Sequence, residues 1–407
     1  MRLVEPLLTA ALIATPGWTQ VDLTSALSTD DVAGNVSLTT GDRGGLAATT
    51  YEPCSTTFAV LRAASPPPTA LVKQTLVAGP EASGTGYVAV LDRRECGGKS
   101  IDLVELDADG AVRNRTPLPV RGAVELLVLE PGADGSLAVV WSERSRLRAI
   151  TRTTEGRLGR PVTLTHHRSA DFTAATSDAG EVVVAWADER VVRTATVTRT
   201  GRVGARARLG RSLGITALSI ALRGERALVA WDTWSSADVH ARLYAAVRDG
   251  RRFRAAELVD RAPQIDQGFE GDTPALSPSV ALSDDGHALV AWHRFRQYHY
   301  EPRLAAAQPG QGFAEPRTPK DTHEVGDVAF DPGGGPIVAL LTSTGVVVER
   351  DGARETVATE RDAFSLSLDV LEGGRLQASW LTGWGIDAEE ESSIKEPSVL
   401  SVATSDT

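Results

Sequence analysis

The sequence lacks several features that would direct its reading elsewhere. No apolar run reaches the roughly 18 residues of a membrane-spanning helix, so none is expected. Gly-x-Ser-x-Gly, the P-loop and a Gly-x-Gly-x-x-Gly following a strand are all missing, so neither a nucleophile elbow nor a nucleotide cofactor is expected. No histidine pair has zinc-ligand spacing on a helix, and no metal is expected. Lysine occurs only four times, at Lys73, Lys99, Lys320 and Lys395, against 38 arginines, a bias of GC-rich coding rather than of function. The net charge of −11 disfavours general nucleic-acid binding, which runs on neutralising phosphates with cations. Helical periodicity is nearly absent.

What remains is ordinary globular composition, 42% hydrophobic and 23% charged over 407 residues, which excludes a wholly disordered chain. The strongest signal is a repeat. Five segments share a Gly, an apolar run and a Trp: Gly135–Trp141, Gly180–Trp186, Gly224–Trp231, Gly286–Trp292 and Gly374–Trp380. Weaker copies run from Gly45 to Tyr51, Gly84 to Leu91 and Gly334 to Leu340, so the anchors recur about every 47 residues. Each unit reads as four short strands. An apolar strand precedes the Gly turn, as in Pro278–Ser283 and Ile215–Ile220. The Trp strand follows, then an alternating strand such as Arg146–Arg152, then a Gly hairpin and a polar, Arg-rich outer strand suited to a sheet edge.

Four-stranded units at this period predict an all-β fold, a β-propeller of about eight blades, because one such sheet cannot bury both its faces alone. Seven blades is the alternative, since the second unit shows no first strand before Gly84. The last unit has three strands, around Phe364–Leu371, Leu376–Trp380 and Ser398–Ala403. Its outer strand is expected from the N-terminus, around Gln20–Leu27, which would close the ring.

Ser283-Asp-Asp-Gly-His-Ala-Leu-Val-Ala-Trp292 resembles the degenerate propeller repeats of exported bacterial proteins, loosely grouped with sialidase-like (BNR-repeat) propellers. The resemblance runs from about residue 20 onward and implies the fold alone. The sialidase Asp-box sets Trp three residues after Gly, whereas here it follows by six, and the Arg-Ile-Pro signature is absent. No catalytic residue is carried over.

Loops of such a blade alternate between two ends. The Gly turns are short, while the segments after each Trp and between units are long, and long loops tend to carry function. The longest are Asp260–Ser277 and His293–Glu301. The candidate ligand-binding residues are therefore Asp188, Arg190, Asp232, Trp234, His293, Phe295, Tyr298, Tyr300 and Trp384. Aromatic faces beside carboxylates and arginines suit a sugar's C–H face and hydroxyls. The expected function is a non-catalytic extracytoplasmic binding or scaffold propeller, with a glycan, an envelope polymer or a protein as ligand. The alternative is a sialidase-like glycoside hydrolase, for which Arg190, Arg294, Arg296, Tyr298, Glu301 and Asp188 supply the residue types.

Met1-Arg2 followed by the apolar run Leu7–Ala14 resembles a secretory signal, although Glu5 interrupts it and no small-x-small site follows. Residues 1–18 are thus a candidate signal segment, or alternatively an apolar strand. Residues 19–407 are read as one propeller domain, a secreted, periplasmic or cell-surface monomer. Cys54 and Cys96 follow the anchors Tyr51 and Leu91 at near-equivalent positions of neighbouring units. They are expected to form a disulfide worth about 2–4 kcal/mol. Glu105-x-Asp107-x-Asp109-Gly110 begins like a calcium loop, but Thr116 stands where a bidentate Glu is required, so a hairpin is expected. The stretch Arg190–Arg226 holds nine arginines and one acid, read as a solvated edge or an anionic-polymer contact. Glu389–Glu391 reads as a solvated loop.

Overall fold

The computed structural model describes residues 12–15, 18–22, 37–40, 46–52, 55–61, 69–71, 75–80, 86–92, 101–107, 112–120, 124–132, 136–143, 145–167, 169, 171–177, 179–188, 190–211, 214, 217–235, 238–261, 278–296, 299–360, 363–370, 372–382 and 399–405. Among these, strands dominate and are all paired antiparallel. After β1 (Leu12–Thr15) and β2 (Trp18–Asp22), sheet 1 contains β3 (Ser37–Thr40), β4 (Leu46–Glu52), β5 (Ser55–Leu61) and β6 (Thr69–Leu71). Sheet 2 contains β7 (Thr75–Pro80), β8 (Gly86–Asp92), β9 (Ile101–Asp107) and β10 (Val112–Pro117). Sheet 3 contains β11 (Val124–Pro131), β12 (Leu137–Glu143), β13 (Arg146–Arg152) and β14 (Val162–Thr165). Sheet 4 contains β15 (Asp171–Thr176), β16 (Val182–Asp188), β17 (Val191–Val197) and β18 (Val203–Arg211).

Sheet 5 contains β19 (Leu218–Arg223), β20 (Arg226–Ser235), β21 (Asp238–Asp249), β22 (Arg252–Phe253) and β23 (Glu257–Arg261), the last two both pairing β21. Sheet 6 contains β24 (Ser279–Leu282), β25 (Ala288–Arg296) and β26 (His299–Ala307). Sheet 7 contains β27 (Thr322–Phe330), β28 (Pro336–Thr342), β29 (Gly345–Arg350) and β30 (Ala353–Ala358). Sheet 8 contains β31 (Phe364–Val370), β32 (Leu376–Thr382) and β33 (Val399–Ser405). In sheet 6 the outer place is taken by residues 313–317, which bridge Ala307 and Leu304 without forming a strand.

Three expectations are revised. The second unit does have a first strand, β7, hidden in sequence by Pro80 and a register shift. The strand that joins sheet 8 is Trp18–Asp22, which begins earlier than the expected Gln20–Leu27 and shares Gln20–Asp22 with it, residues 23–27 lying outside the described ones; Gln20 stands opposite Ala403, and β1 adds a fifth strand outside it. The third strands do not alternate cleanly. In β13 all of Ala149–Arg152 is buried, because a blade's interior strand is covered on both faces by its neighbours. The strands that flank the calcium-like segment, β9 and β10, pair directly with each other, and residues 108–111 between them lie outside the described residues.

The first strand of each sheet packs on the first strand of the next, from β3 through β7, β11, β15, β19, β24 and β27 to β31. This is the radial stacking of a β-propeller. The core lies between sheets rather than within one. Trp141, Trp186, Trp231, Trp292 and Trp380 are each no more than 1% exposed. Each sits in a cluster with the preceding sheet, as Trp186 does with Ala138, Val140, Leu147 and Leu164 and Trp380 with Ile337, Ala339 and Val348. Burying so large a side chain contributes roughly 3 kcal/mol or more.

Five of the turns share one chemistry. In Ser177–Glu181 and Ser283–His287 the fourth residue is a left-handed Gly, with Gly180 at φ 72° and Gly286 at 95°. The first residue's side-chain oxygen accepts the fifth residue's amide, at 3.1 Å for Glu181 and 2.8 Å for His287. Asp331–Gly335, Thr153–Arg157 and Thr198–Arg202 repeat the pattern. This is a three-residue hairpin loop, whose bulge position requires positive φ and therefore favours Gly.

Candidate functional site

At the end of each blade where the Trp strand finishes, the residues beyond the anchor Trp alternate in direction. The second residue past Trp shares its face. The Trp's cross-strand partner is Arg148 for Trp141, Arg193 for Trp186 and Arg303 for Trp292. These positions assemble charge pairs. Arg148 Nη1 donates to Glu143 at 3.1 Å, and its guanidinium lies 5.7 Å from the Trp141 ring centroid. Arg193 Nε donates to Asp188 at 2.6 Å. Burial pushes the Asp188 carboxyl up, but the Arg193 hydrogen bond and charge and the amides of Arg190 and Val191 outweigh it, so its pKa lies below the usual Asp value.

Between sheets 5 and 6 the network is larger. Trp292 Nε1 donates to Asp260 Oδ2 at 2.9 Å, and Arg294 Nη2 donates to Asp260 Oδ1 at 2.7 Å and to Arg261 O at 2.9 Å. Beside them Arg303 Nη1 and Thr318 Oγ1 both donate to Glu301 Oε1, at 3.2 and 3.0 Å. Burial raises Glu301, but Thr318, Arg303 and the nearby Arg294 charge hold it below its ordinary value. Trp231 Nε1 and Trp380 Nε1 likewise reach back to the preceding sheet, to Arg211 O at 3.3 Å and to Glu360 at 2.8 Å.

In sheets 5 and 6 the residue one past Trp is turned onto a backbone amide. Asp232 is 1% exposed and its Oδ1 accepts the Ala217 amide at 2.7 Å. His293 Nε2 accepts the Val325 amide of β27 at 3.1 Å, and burial lowers its pKa, which keeps the ring neutral and able to accept. Both are thus backbone acceptors, Asp232 within its own sheet and His293 across the seam to sheet 7. Arg190 is exposed, next to Asp188.

His293–Glu301 is not a long loop. It is the extended end of the β25–β26 hairpin, with Phe295 directly opposite Tyr300 and Arg296 opposite His299. Its alternation of aromatic and polar residues fits a pleated surface. Trp234 lies in β20, beside a register shift between Thr233 and Ser235. Strands β20 and β25 therefore run four residues past their anchors, while β12, β16 and β32 stop two past theirs. Sheets 5 and 6 project about 7 Å further at this end, at ~3.3 Å per residue. Tyr298, Trp384, Glu389–Glu391, residues 262–277 and both cysteines lie outside the described residues.

The opposite end holds a feature that the sequence did not suggest. Arg223, Gly224, Glu225, Arg226, Asp249, Gly250 and Asp284 line a polar cavity of about 470 Å³ among the Gly turns of sheets 5 and 6. Arg226 Nη1 donates to Asp284 O at 2.6 Å and its Nε to Asp249 at 3.4 Å. Nearby, hydrogen bonds from Ser283 and His287 hold Asp285 at a pKa of about 2. First strands carry carboxyls of the reverse character. Burial pushes Glu130 up to about 8 and Asp327 up to about 6, and raises Asp171 and Glu324. Asp327 accepts Ser279 Oγ at 2.9 Å and the Leu368 amide at 3.3 Å, tying together the first strands of sheets 6, 7 and 8. Among the described residues no cluster of His, Cys, Asp and Glu could hold a metal ion, and no helix is long and apolar enough to cross a membrane.

No family model and no curated protein matches the chain. Solved structures do. A eukaryotic initiation factor structure is 10% identical with a TM-score of 0.51, over 90% of this chain and 87% of that one. A WD40 domain from Neurospora crassa is 10% identical at TM-score 0.48, over 97% and 98%. A polysaccharide lyase is 9% identical at TM-score 0.47, over 79% and 88%. The neighbours are β-propeller-like proteins, and likeness at such identity concerns the fold alone.

Proposed function

We propose that the chain is an eight-bladed propeller, closed by β2 pairing with β33, that acts as a binding or scaffold module outside the cytoplasm. Its ligand, a glycan, envelope polymer or protein, docks on the end where sheets 5 and 6 project. The observation that carries this is the overhang of β20 and β25–β26 past their anchors, which sets Trp234, Phe295 and Tyr300 on raised ribbons. Aromatic side chains on rigid strands offer contact area at low entropic cost.

The hydrolase reading draws on the same end but loses support. Arg294 is committed to Asp260, Glu301 to Arg303 and Thr318, and Asp188 to Arg193. Groups held in such pairs position strands rather than a substrate carboxylate. Export and the Cys54–Cys96 bridge belong to the same proposal. Glycan-array binding without turnover of chromogenic glycosides is the expected result, with binding lost in Trp234→Ala and Tyr300→Ala. Turnover abolished by Tyr298→Phe would establish the enzyme instead.

A further inference from the structure

The outer rim of sheets 3 and 4 carries a charge pattern unrelated to the projecting end. Arg202, Arg206, Arg208 and Arg211 lie in or beside the outer strand β18, and all four are exposed. Arg160, also exposed, adjoins them from sheet 3. Its carbonyl would lie 3.5 Å from a Cβ placed on Gly201, so the outer turns of the two sheets touch. Arg206 Nη1 donates to Leu164 O of β14 at 2.9 Å, which lays its guanidinium across the seam. Arg208 stands opposite Arg193 in the β17–β18 pair. The nine residues of β18 span about 30 Å at ~3.3 Å each, so the cations form a strip of that length.

Protection of a sheet edge does not require this arrangement. On sheets 6 and 7 the equivalent arginines are neutralised. At the outer edges of these sheets Arg317 Nη2 and Arg354 Nε both bond Glu349, at 2.8 and 3.1 Å. Among the described residues, Arg160, Arg202, Arg206, Arg208 and Arg211 have no carboxylate partner. In a chain of net charge −11, five such cations are gathered on one strip.

We infer that this strip binds a linear acidic polysaccharide. Guanidinium forks match carboxylate and sulfate groups bidentately, and a row of them along a strand suits a polymer with regularly spaced charge. Nucleic acid fits less well. Neither β14 (VTLT) nor β18 (VGARARLGR) offers an aromatic ring for base stacking. The inference does not depend on any ligand at the projecting end.

The test uses the full chain at low salt with four immobilised probes: heparin, polygalacturonate, a single-stranded DNA oligonucleotide and anionic phospholipid vesicles. Binding to heparin or polygalacturonate is expected, falling steeply as salt rises. The variant Arg206→Ala/Arg208→Ala/Arg211→Ala should bind about tenfold or more weakly. Arg202→Glu/Arg208→Glu, which keeps the Arg206–Leu164 bond, should do the same at unchanged Tm. Arg251→Ala/Arg252→Ala, exposed on sheet 5, should bind as the parent does. The inference is overturned if neither polysaccharide binds, if the sheet 5 variant loses as much, or if DNA or vesicles bind more tightly than both polysaccharides.

Discussion

Trp292 and Asp260 are joined by a 2.9 Å hydrogen bond from the indole nitrogen of one sheet to the outer-strand carboxylate of the sheet before it. The same carboxylate accepts Arg294 at 2.7 Å, and Asp260 is only 8% exposed. One acidic side chain therefore accepts from a buried indole and a partly buried guanidinium at the seam.

Asp260→Ala should leave both donors without that acceptor and lower unfolding stability by about 3 kcal/mol. Asp260→Asn keeps an oxygen for one of them and should cost about 1–2 kcal/mol. Urea denaturation monitored by tryptophan fluorescence separates the two. Equal stability of Asp260→Ala and the parent would contradict the bridge.

Glycines act here for two different reasons, and two substitutions tell them apart. A Cβ on Gly210 would meet Trp231 Cζ2 at 2.8 Å, so Gly210→Ala should cost about 1–3 kcal/mol through overpacking. Gly250 has open space but φ 62°. Gly250→Ala should cost about 1 kcal/mol, and Gly250→Asn, which tolerates the left-handed region, should recover part of it. Thermal melts of the three variants provide the comparison.

Stability should fall as pH rises through the neutral range. Glu130 ionises near its ordinary value of 4.5 when unfolded but at about 8 when folded, so the unfolded chain gives up its proton first. The stabilisation is complete below about pH 4.5 and is lost as pH climbs to about 8. Asp327 adds a smaller window, from 3.8 to about 6. Tm measured across this range should decline, and Glu130→Gln should flatten the upper part of the curve. An unchanged slope in Glu130→Gln would remove this carboxyl as the cause.

Deleting residues 1–22 removes β1 and β2 and leaves the edge of β33 open. An unpaired edge strand recruits other chains. The truncated protein should melt earlier and aggregate in light scattering.

The blade architecture was legible because its cause is local. A buried Trp at the end of an apolar run and a Ser, Thr or Asp three residues before a Gly both act within one hairpin. The candidate site was less legible because its partners are remote. Asp260 and Trp292 are 32 residues apart in sequence, and only the packing of one sheet on the next joins them. Asp232 and His293 have the chemistry of ligand-binding groups, and nothing local reveals that each is turned onto a backbone amide. His293–Glu301 reads in sequence as a long segment beyond the anchor Trp292, yet its residues continue the strands, with Phe295 opposite Tyr300. The cavity beside Arg226 arises only where the turns of two consecutive sheets meet.

Each of the five repeat tryptophans is buried between its own sheet and the one before it. The molecule therefore carries a built-in optical gauge at five separate joints. Replacing four of these indoles, together with Trp18, Trp234 and Trp384, by phenylalanine would leave a single emitter reporting the opening of one joint, so the order in which the wheel comes apart can be read one spoke at a time.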